Sequence, residues 1–254
     1  MNYIILDLEF NQSIAGKVKD AEYISMCPFE IIQIGALKLN EALQNVATLD
    51  RLVKPTLYRE LHPFIKEMTS IDEVQLRTAK NFKAVYDEFS ELTFEGDNVL
   101  CIWGMSDIKE LFRNAEYYGL NTKFIPRQYI NLQAYVSQYL CCPKGTSIGL
   151  RNAVELLNIP VTTPFHNAFN DACYTTEIFK RIYSENLRPK TYNPYNHRTA
   201  SNSRNSKKIV DSESLIQQFI KMFGREMTED EKTIIKLAYM MGRSNQFQID
   251  PPDK

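Results

Sequence analysis

Apolar residues fall in short blocks along the chain, and the blocks alternate between strand and helix character. The run "YIILDLEF" (3–10) ends in acids, which suits a central strand whose end carries chemistry. "FEIIQIGALKL" (29–39) and "VATLDRLVKP" (46–55) predict two more strands, close enough in sequence to pair antiparallel. Residues 73–92 carry apolar groups at near-helical spacing and predict one helix. "NVLCIWG" (98–104) reads as a short buried strand. Ser106 then stands where an N-cap belongs, with a helix through Tyr118 and Gly119 as its stop. "QYINLQAYVSQYL" predicts a strand running into a helix, and "SIGLRNAVELLNIP" a helix capped by Ser147 and stopped before Pro160. A last long helix is expected from near Asn167 or Asn170 to about Asn186. Three successive strands followed by strand–helix alternation predict an α/β fold, a mixed five-stranded sheet with helices on both faces.

The pattern breaks at 188–208, "RPKTYNPYNHRTASNSRNSKK", which is rich in Asn, Ser and Pro and poor in aliphatics. Such a stretch reads as a flexible linker. Beyond it lie two helix candidates, 212–223 and 229–242, the second with Thr228 and Glu231 positioned as a capping box. The expected organisation is a domain over 1–187, a basic linker over 188–208 and a small helical appendage over 209–254. A length of 254 residues, 44% hydrophobic and 24% charged, allows one good core with some chain to spare.

No apolar run approaches the ~20 residues needed to cross a bilayer, and the chain opens on a strand-like segment without a leader pattern. A cytoplasmic protein without a membrane partner is the expectation. Five cysteines with no C-x-x-C support neither a disulfide framework nor a zinc site. A net charge of −1 does not advertise a nucleic-acid binder, yet 188–208 carries six cations (Arg188, Lys190, Arg198, Arg204, Lys207, Lys208) and no acid. Phosphates can therefore be met locally.

Chemistry concentrates in three separated segments. Asp7 and Glu9 are two apart on a strand, so their side chains share a face. Asp107 falls at the start of one helix and Asp171 in the first turns of another, from which both can converge on the strand end. Clustered carboxylates repel one another, so their convergence implies cations. His166 lies five residues before Asp171, and histidine is the side-chain type best suited to moving a proton at neutral pH. His62 and His197 lack such company and read as surface or linker residues, and Trp103 and Phe112 as core.

This combination and order of residues resembles the DEDDh family of 3′→5′ exonucleases, which includes polymerase proofreading subunits, RNase T and oligoribonuclease. The H-x4-D spacing is the family's histidine type; its tyrosine variant would need tyrosine at 167, which is Asn167. "EIIQIGAL" (30–37), "MTSI" (68–71, with Ser70 where glycine is common) and "GLRNAVELLNI" (149–159) extend the resemblance over about residues 3–183. "DLEFN" and the long stretch from Glu9 to Ile31 look closest to the branch that processes histone mRNA and small RNAs.

The resemblance implies a ribonuclease-H-like fold and two divalent cations, Mg²⁺ or Mn²⁺, on Asp7, Glu9, Asp107 and Asp171. It implies His166 as general base, and a single-stranded nucleic acid 3′ end as substrate, RNA favoured, released as nucleoside 5′-monophosphates. Phe10 would stack on the terminal base, Asn11 and Gln12 would bond the terminal sugar, and Met68 would touch the last nucleotide. Core packing for Phe10 and loop capping for Asn11 and Gln12 are the plainer readings. A DNA-directed exonuclease shares the same five residues. A catalytically silent binding module would lack one of them, and none is lost. The appendage is a candidate surface for a protein partner.

Overall fold

Aliphatic side chains on both faces of β1 (Asn2–Asn11) drive that strand to the middle of the molecule. Ile4, Leu6 and Leu8 enter one core cluster; Tyr3 and Ile5 enter another on the opposite face. The structure is a computed structural model, describing residues 1–14, 26–143, 147–184, 187–195, 212–229, 231–232 and 234–235.

β1 pairs antiparallel with β2 (Glu30–Leu39), and β2 antiparallel with β3 (Asn45–Lys54), as the short connection between them requires. After α1 (Pro63–Thr69) and α2 (Glu73–Thr78), β4 (Lys80–Asn81) pairs with the end of β3. α3 (Phe82–Phe94) leads to β5 (Asn98–Ile102), parallel to β1. α4 (Ser106–Tyr117), β6 (Gln128–Asn131), α5 (Leu132–Tyr139), α6 (Leu150–Leu156) and α7 (Ala168–Ile182) follow, and β7 (Lys190–Thr191) closes the sheet against β6. The sheet order is β4-β3-β2-β1-β5-β6-β7. α3 and α4 cover one face through Val85, Phe89, Ile108 and Phe112. α5, α6 and α7 cover the other through Val136, Val154, Ile178 and Phe179.

Several local expectations need correction. The five expected strands are present, but two-residue strands at both edges make seven. The single helix expected over 73–92 is two. Asp72 and Gln75 form a capping box that opens α2, Ala79 is extended, and the Asn81 side chain accepts the Ala84 N–H at 2.9 Å to open α3. Asn at such a position competes for backbone bonds better as a cap than within a helix. Met105, not Ser106, is the N-cap of α4, and Gly149, not Ser147, that of α6. The last long helix ends at Ile182.

The first part of the expected linker belongs to the sheet. Lys190 pairs with Tyr129, and Tyr192 is buried against Phe112. Most of the remainder, 196–211, lies outside the described residues.

A separate unit comprises Thr199–Lys254. Within it α8 (Ser212–Phe223) occupies the expected 212–223. The Thr228–Glu231 capping box forms in both directions, at 2.9 and 3.2 Å, although 236–242 of that second helix lie outside the described residues. Among the described residues no helix is long and apolar enough to cross a membrane.

Candidate active site

The parallel pairing of β1 with β5 stops at Leu6 and Ile102, while β1 continues to Asn11 against β2 alone. Asp7 and Glu9 therefore lie just past the carboxyl end of β5, where open α/β sheets bind ligands. They share the face of Tyr3 and Ile5. Opposite them across the ladder stand Gly35 and Gln33.

Those two residues set the start of α7. A Cβ on Gly35 would meet the Ala168 backbone at 2.2 Å, so glycine is what lets the helix lie directly on the sheet. The Gln33 carboxamide oxygen accepts the Ala168 N–H at 3.1 Å, and its nitrogen donates to Asp50 at 2.9 Å. Asn167 caps the same turn through the Asn170 N–H. Asp171 thus arrives beside β1: one ligand atom from each of Asp7, Glu9 and Asp171 lies within 4.8 Å of the others. From the other face of the sheet, α4 brings buried Asp107 in its first turn to the same end of β1.

Four acids in a partly dry site cannot all ionise cheaply. Burial, then the charges of Asp107, Asp171 and Glu9, raise the Asp7 carboxyl well above its ordinary range. Burial, then Asp171 and Asp107, push Glu9 up to about 8. Burial, with charge from Asp171 and Glu110, raises Asp107 to about 7. Burial raises Asp171 to about 6, against the pull of the His166 backbone bond and of nearby His166 and Arg151. Among the described residues none of the four is ion-paired. Asp171 Oδ1 is buried without a hydrogen-bond partner. An oxygen-only donor set of this kind suits hard divalent cations, which would relieve both the repulsion and the orphaned oxygen.

His166 is exposed, with φ +63°, a left-handed conformation that a non-glycine residue adopts at a cost. Its N–H donates to Asp171 Oδ2 at 3.1 Å, tying the loop to the acid. The loop is pinned further by Tyr174, whose hydroxyl accepts the Thr162 and Thr163 N–H groups and donates to the Thr163 carbonyl at 2.7 Å. Phe165 stacks on Tyr174 with ring centroids 4.7 Å apart, and the Arg151 guanidinium lies over Phe165.

The family model described as Exonuclease (RNase_T) matches residues 5–179, which includes all five of these residues. The chain belongs to this exonuclease family. It is 26% identical over 194 residues to the 3′-5′ exonuclease crn-4 of Caenorhabditis elegans, covering 70% of this chain and 62% of that protein. It is 27% identical over 165 residues to ERI1 exoribonuclease 3 of Homo sapiens, covering 61% of this chain and 48% of the relative. The chain thus spans about half to three-fifths of the relatives it matches. In fold it resembles the nuclease domain of 3′hExo, a DEDDh family member, bound to rAMP: TM-score 0.62, 20% identity, 76% of this chain and 96% of that one.

The remaining sequence-suggested residues of this exonuclease-family chain separate. Phe10 is partly buried, follows a register shift after Glu9, and faces Phe29 with centroids 6.2 Å apart. Met68 is partly buried against a small cluster that includes Ile32 and Ile65. Asn11 is fully buried: its nitrogen donates to the Tyr58 and Glu60 carbonyls, and its oxygen accepts the His62 N–H. Its amide is committed to the 58–62 loop, which fits loop capping and leaves no donor for a sugar hydroxyl. Gln33 and Tyr174 went unnoticed in the sequence, and Gly35 stood out there solely as a glycine inside a strand. Only the lone glycine inside a strand pattern hinted at close backbone approach.

Proposed function

We propose that this chain is a metal-dependent 3′→5′ exonuclease that shortens single-stranded RNA by one nucleoside 5′-monophosphate at a time. The observation that carries the reading is the triad of Asp7, Glu9 and Asp171 with an unpartnered buried oxygen on Asp171. Asp7, Glu9 and Asp171, with Asp107 beside them, would hold two divalent cations, Mg²⁺ or Mn²⁺. Bound there, such ions lower the pKa of water and stabilise charge on a phosphoryl group and its leaving oxygen.

The protein's own part is to orient and to move a proton. β1 and the pinned start of α7 hold the carboxylates rigidly at the strand end, which preserves the alignment that phosphoryl chemistry needs. His166, on an exposed loop tied to Asp171, takes the proton from the attacking water as general base. Phe10 and Met68 supply apolar surface near the terminal nucleotide. RNA is favoured over DNA because ERI1 exoribonuclease 3 is named for RNA and the 3′hExo neighbour holds rAMP.

The test uses matched 5′-labelled RNA and DNA single strands with Mg²⁺, Mn²⁺ or EDTA. The expected result is a ladder of products shortened one nucleotide at a time from the 3′ end, faster on RNA and absent in EDTA. Faster loss of the DNA strand assigns the chain to DNA instead. No product from either strand with either metal contradicts the exonuclease reading.

A further inference from the structure

At the carboxyl end of β6, two strands from β1 in the sheet order, lies a cavity of about 410 Å³. Its wall includes Met105, Tyr129, Tyr135, Arg188, Lys190 and Thr191. Its volume lies within the range of small-ligand sites. Met105 is the N-cap of α4, two residues ahead of Asp107, so one wall of the cavity is the turn that presents a catalytic-site acid. Arg188 and Lys190 are exposed, and among the described residues neither makes an ion pair. By contrast Arg51, Lys80 and Lys83 on α3's side of the fold are all paired with acids. The cavity combines two free cations with partly buried tyrosine rings, the mixture that grips a phosphate and a base in single strands.

The position follows from the fold. On the acid face, the β2 side of Asp7 and Glu9 is covered by the start of α7 lying on Gly35 and held by Gln33. On the other side of β1 the sheet order runs through β5 to β6, which lines the cavity together with Met105 at the start of α4. The short β7 strand, paired to Gln128 and Tyr129, carries Lys190 to its rim, and the Tyr135 hydroxyl bonds the Arg188 carbonyl at 3.3 Å.

We propose that this cavity is a subsite for the substrate strand itself, holding a nucleotide upstream of the scissile bond with its phosphate on Arg188 and Lys190. The proposal rests on the exonuclease reading and gives that site a length preference. A dinucleotide brings no phosphate upstream of its scissile bond for Arg188 and Lys190 to hold; a longer strand does.

The test measures kcat and KM of the full chain on oligouridylates of two and eight nucleotides, with a parallel deoxy series, at several salt concentrations. The variants are R188Q/K190Q, the charge-keeping R188K/K190R, and Lys83→Gln as a charge control on another surface. The expected result for R188Q/K190Q is a roughly tenfold fall in the octamer-to-dimer ratio of kcat/KM, mostly through KM. That is the size expected for losing a charge-assisted phosphate bond. Its log–log salt dependence on the octamer should be shallower by roughly 0.7, the counterion release expected for the one phosphate that the two cations share. R188K/K190R should restore most of the ratio, and Lys83→Gln should leave it alone. Lys190→Gln, at an exposed edge position, serves if the double variant does not fold. An unaltered ratio and salt slope in R188Q/K190Q, beside a wild type that degrades strands, overturns the subsite and leaves the exonuclease standing. A wild-type chain that degrades no strand overturns both.

Discussion

The Cβ that Gly35 lacks would lie 2.2 Å from the backbone carbonyl carbon of Ala168. Gly35 pairs with Asp7 across the β-ladder, and Ala168 is three residues before Asp171. One glycine therefore sets how closely the third acid approaches the first two. Gly35→Ala should force α7 off the sheet. We expect a destabilisation of about 1–3 kcal/mol from overpacking. Activity should fall about 10²-fold, since a displacement near 1 Å suffices for that loss. Chemical denaturation and initial rates on one preparation check this, and near-wild-type values for both would contradict the packing argument.

Gln33→Leu keeps the volume but strips the acceptor from the Ala168 N–H and the donor from Asp50. A buried N–H left without a partner costs about 1–3 kcal/mol. The variant should remain folded, with reduced stability and weaker divalent-cation binding. Titration calorimetry with Mn²⁺ reads the second effect. Unchanged cation affinity would confine Gln33 to a structural role.

The metal-free protein should lose stability as pH rises. Glu9, Asp107 and Asp171 have folded-state values of about 8, 7 and 6, against ordinary values of 4.5, 3.8 and 3.8. The folded state thus holds protons that the unfolded chain has released. Their contribution is fully present below pH ~4 and is lost through pH 6–8 as the folded carboxyls ionise. Melts in EDTA from pH 5 to 9 should show a falling Tm over that window, with Mn²⁺ reversing the fall. A Tm rising across pH 6–8 in EDTA would contradict the cluster's electrostatics.

Much of this was legible in sequence because the signals were local. The apolar run ending in Asp7 and Glu9 marks a central strand, and Asn167 before Ala168 marks a helix start; both elements form. The break in 73–92 is set by the local caps Asp72 and Asn81, but the edge strands depend on partners distant in sequence. Nothing in 73–92 announces that Lys80 will pair with Val53, nor anything in 188–195 that Tyr192 will find Phe112. For Asn11 the plainer expectation of loop capping fits, but the loop it caps, 47 to 51 residues away, is not visible in its sequence neighbours. Gln33 and Tyr174 hold the site by side-chain bonds that no periodicity encodes.

His166→Ala should lower turnover by about 10²–10⁴-fold, the usual loss with a general base, and leave cation binding largely intact. Single-turnover rates near neutral pH, paired with a Mn²⁺ titration, separate the two effects. Rates close to wild type would remove His166 from the chemistry. Lost cation binding would reassign it to the architecture of the site.

Cation binding by Asp7, Glu9, Asp107 and Asp171 is the step on which the proposed chemistry depends. Anomalous diffraction from crystals grown with Mn²⁺ and a nucleoside 5′-monophosphate tests it most directly. Two peaks about 3.5–4 Å apart are expected, in contact with Asp7, Glu9 and Asp171, one of them also reaching Asp107. A protein saturated with Mn²⁺ and nucleotide that shows no peak among Asp7, Glu9 and Asp171 would contradict it.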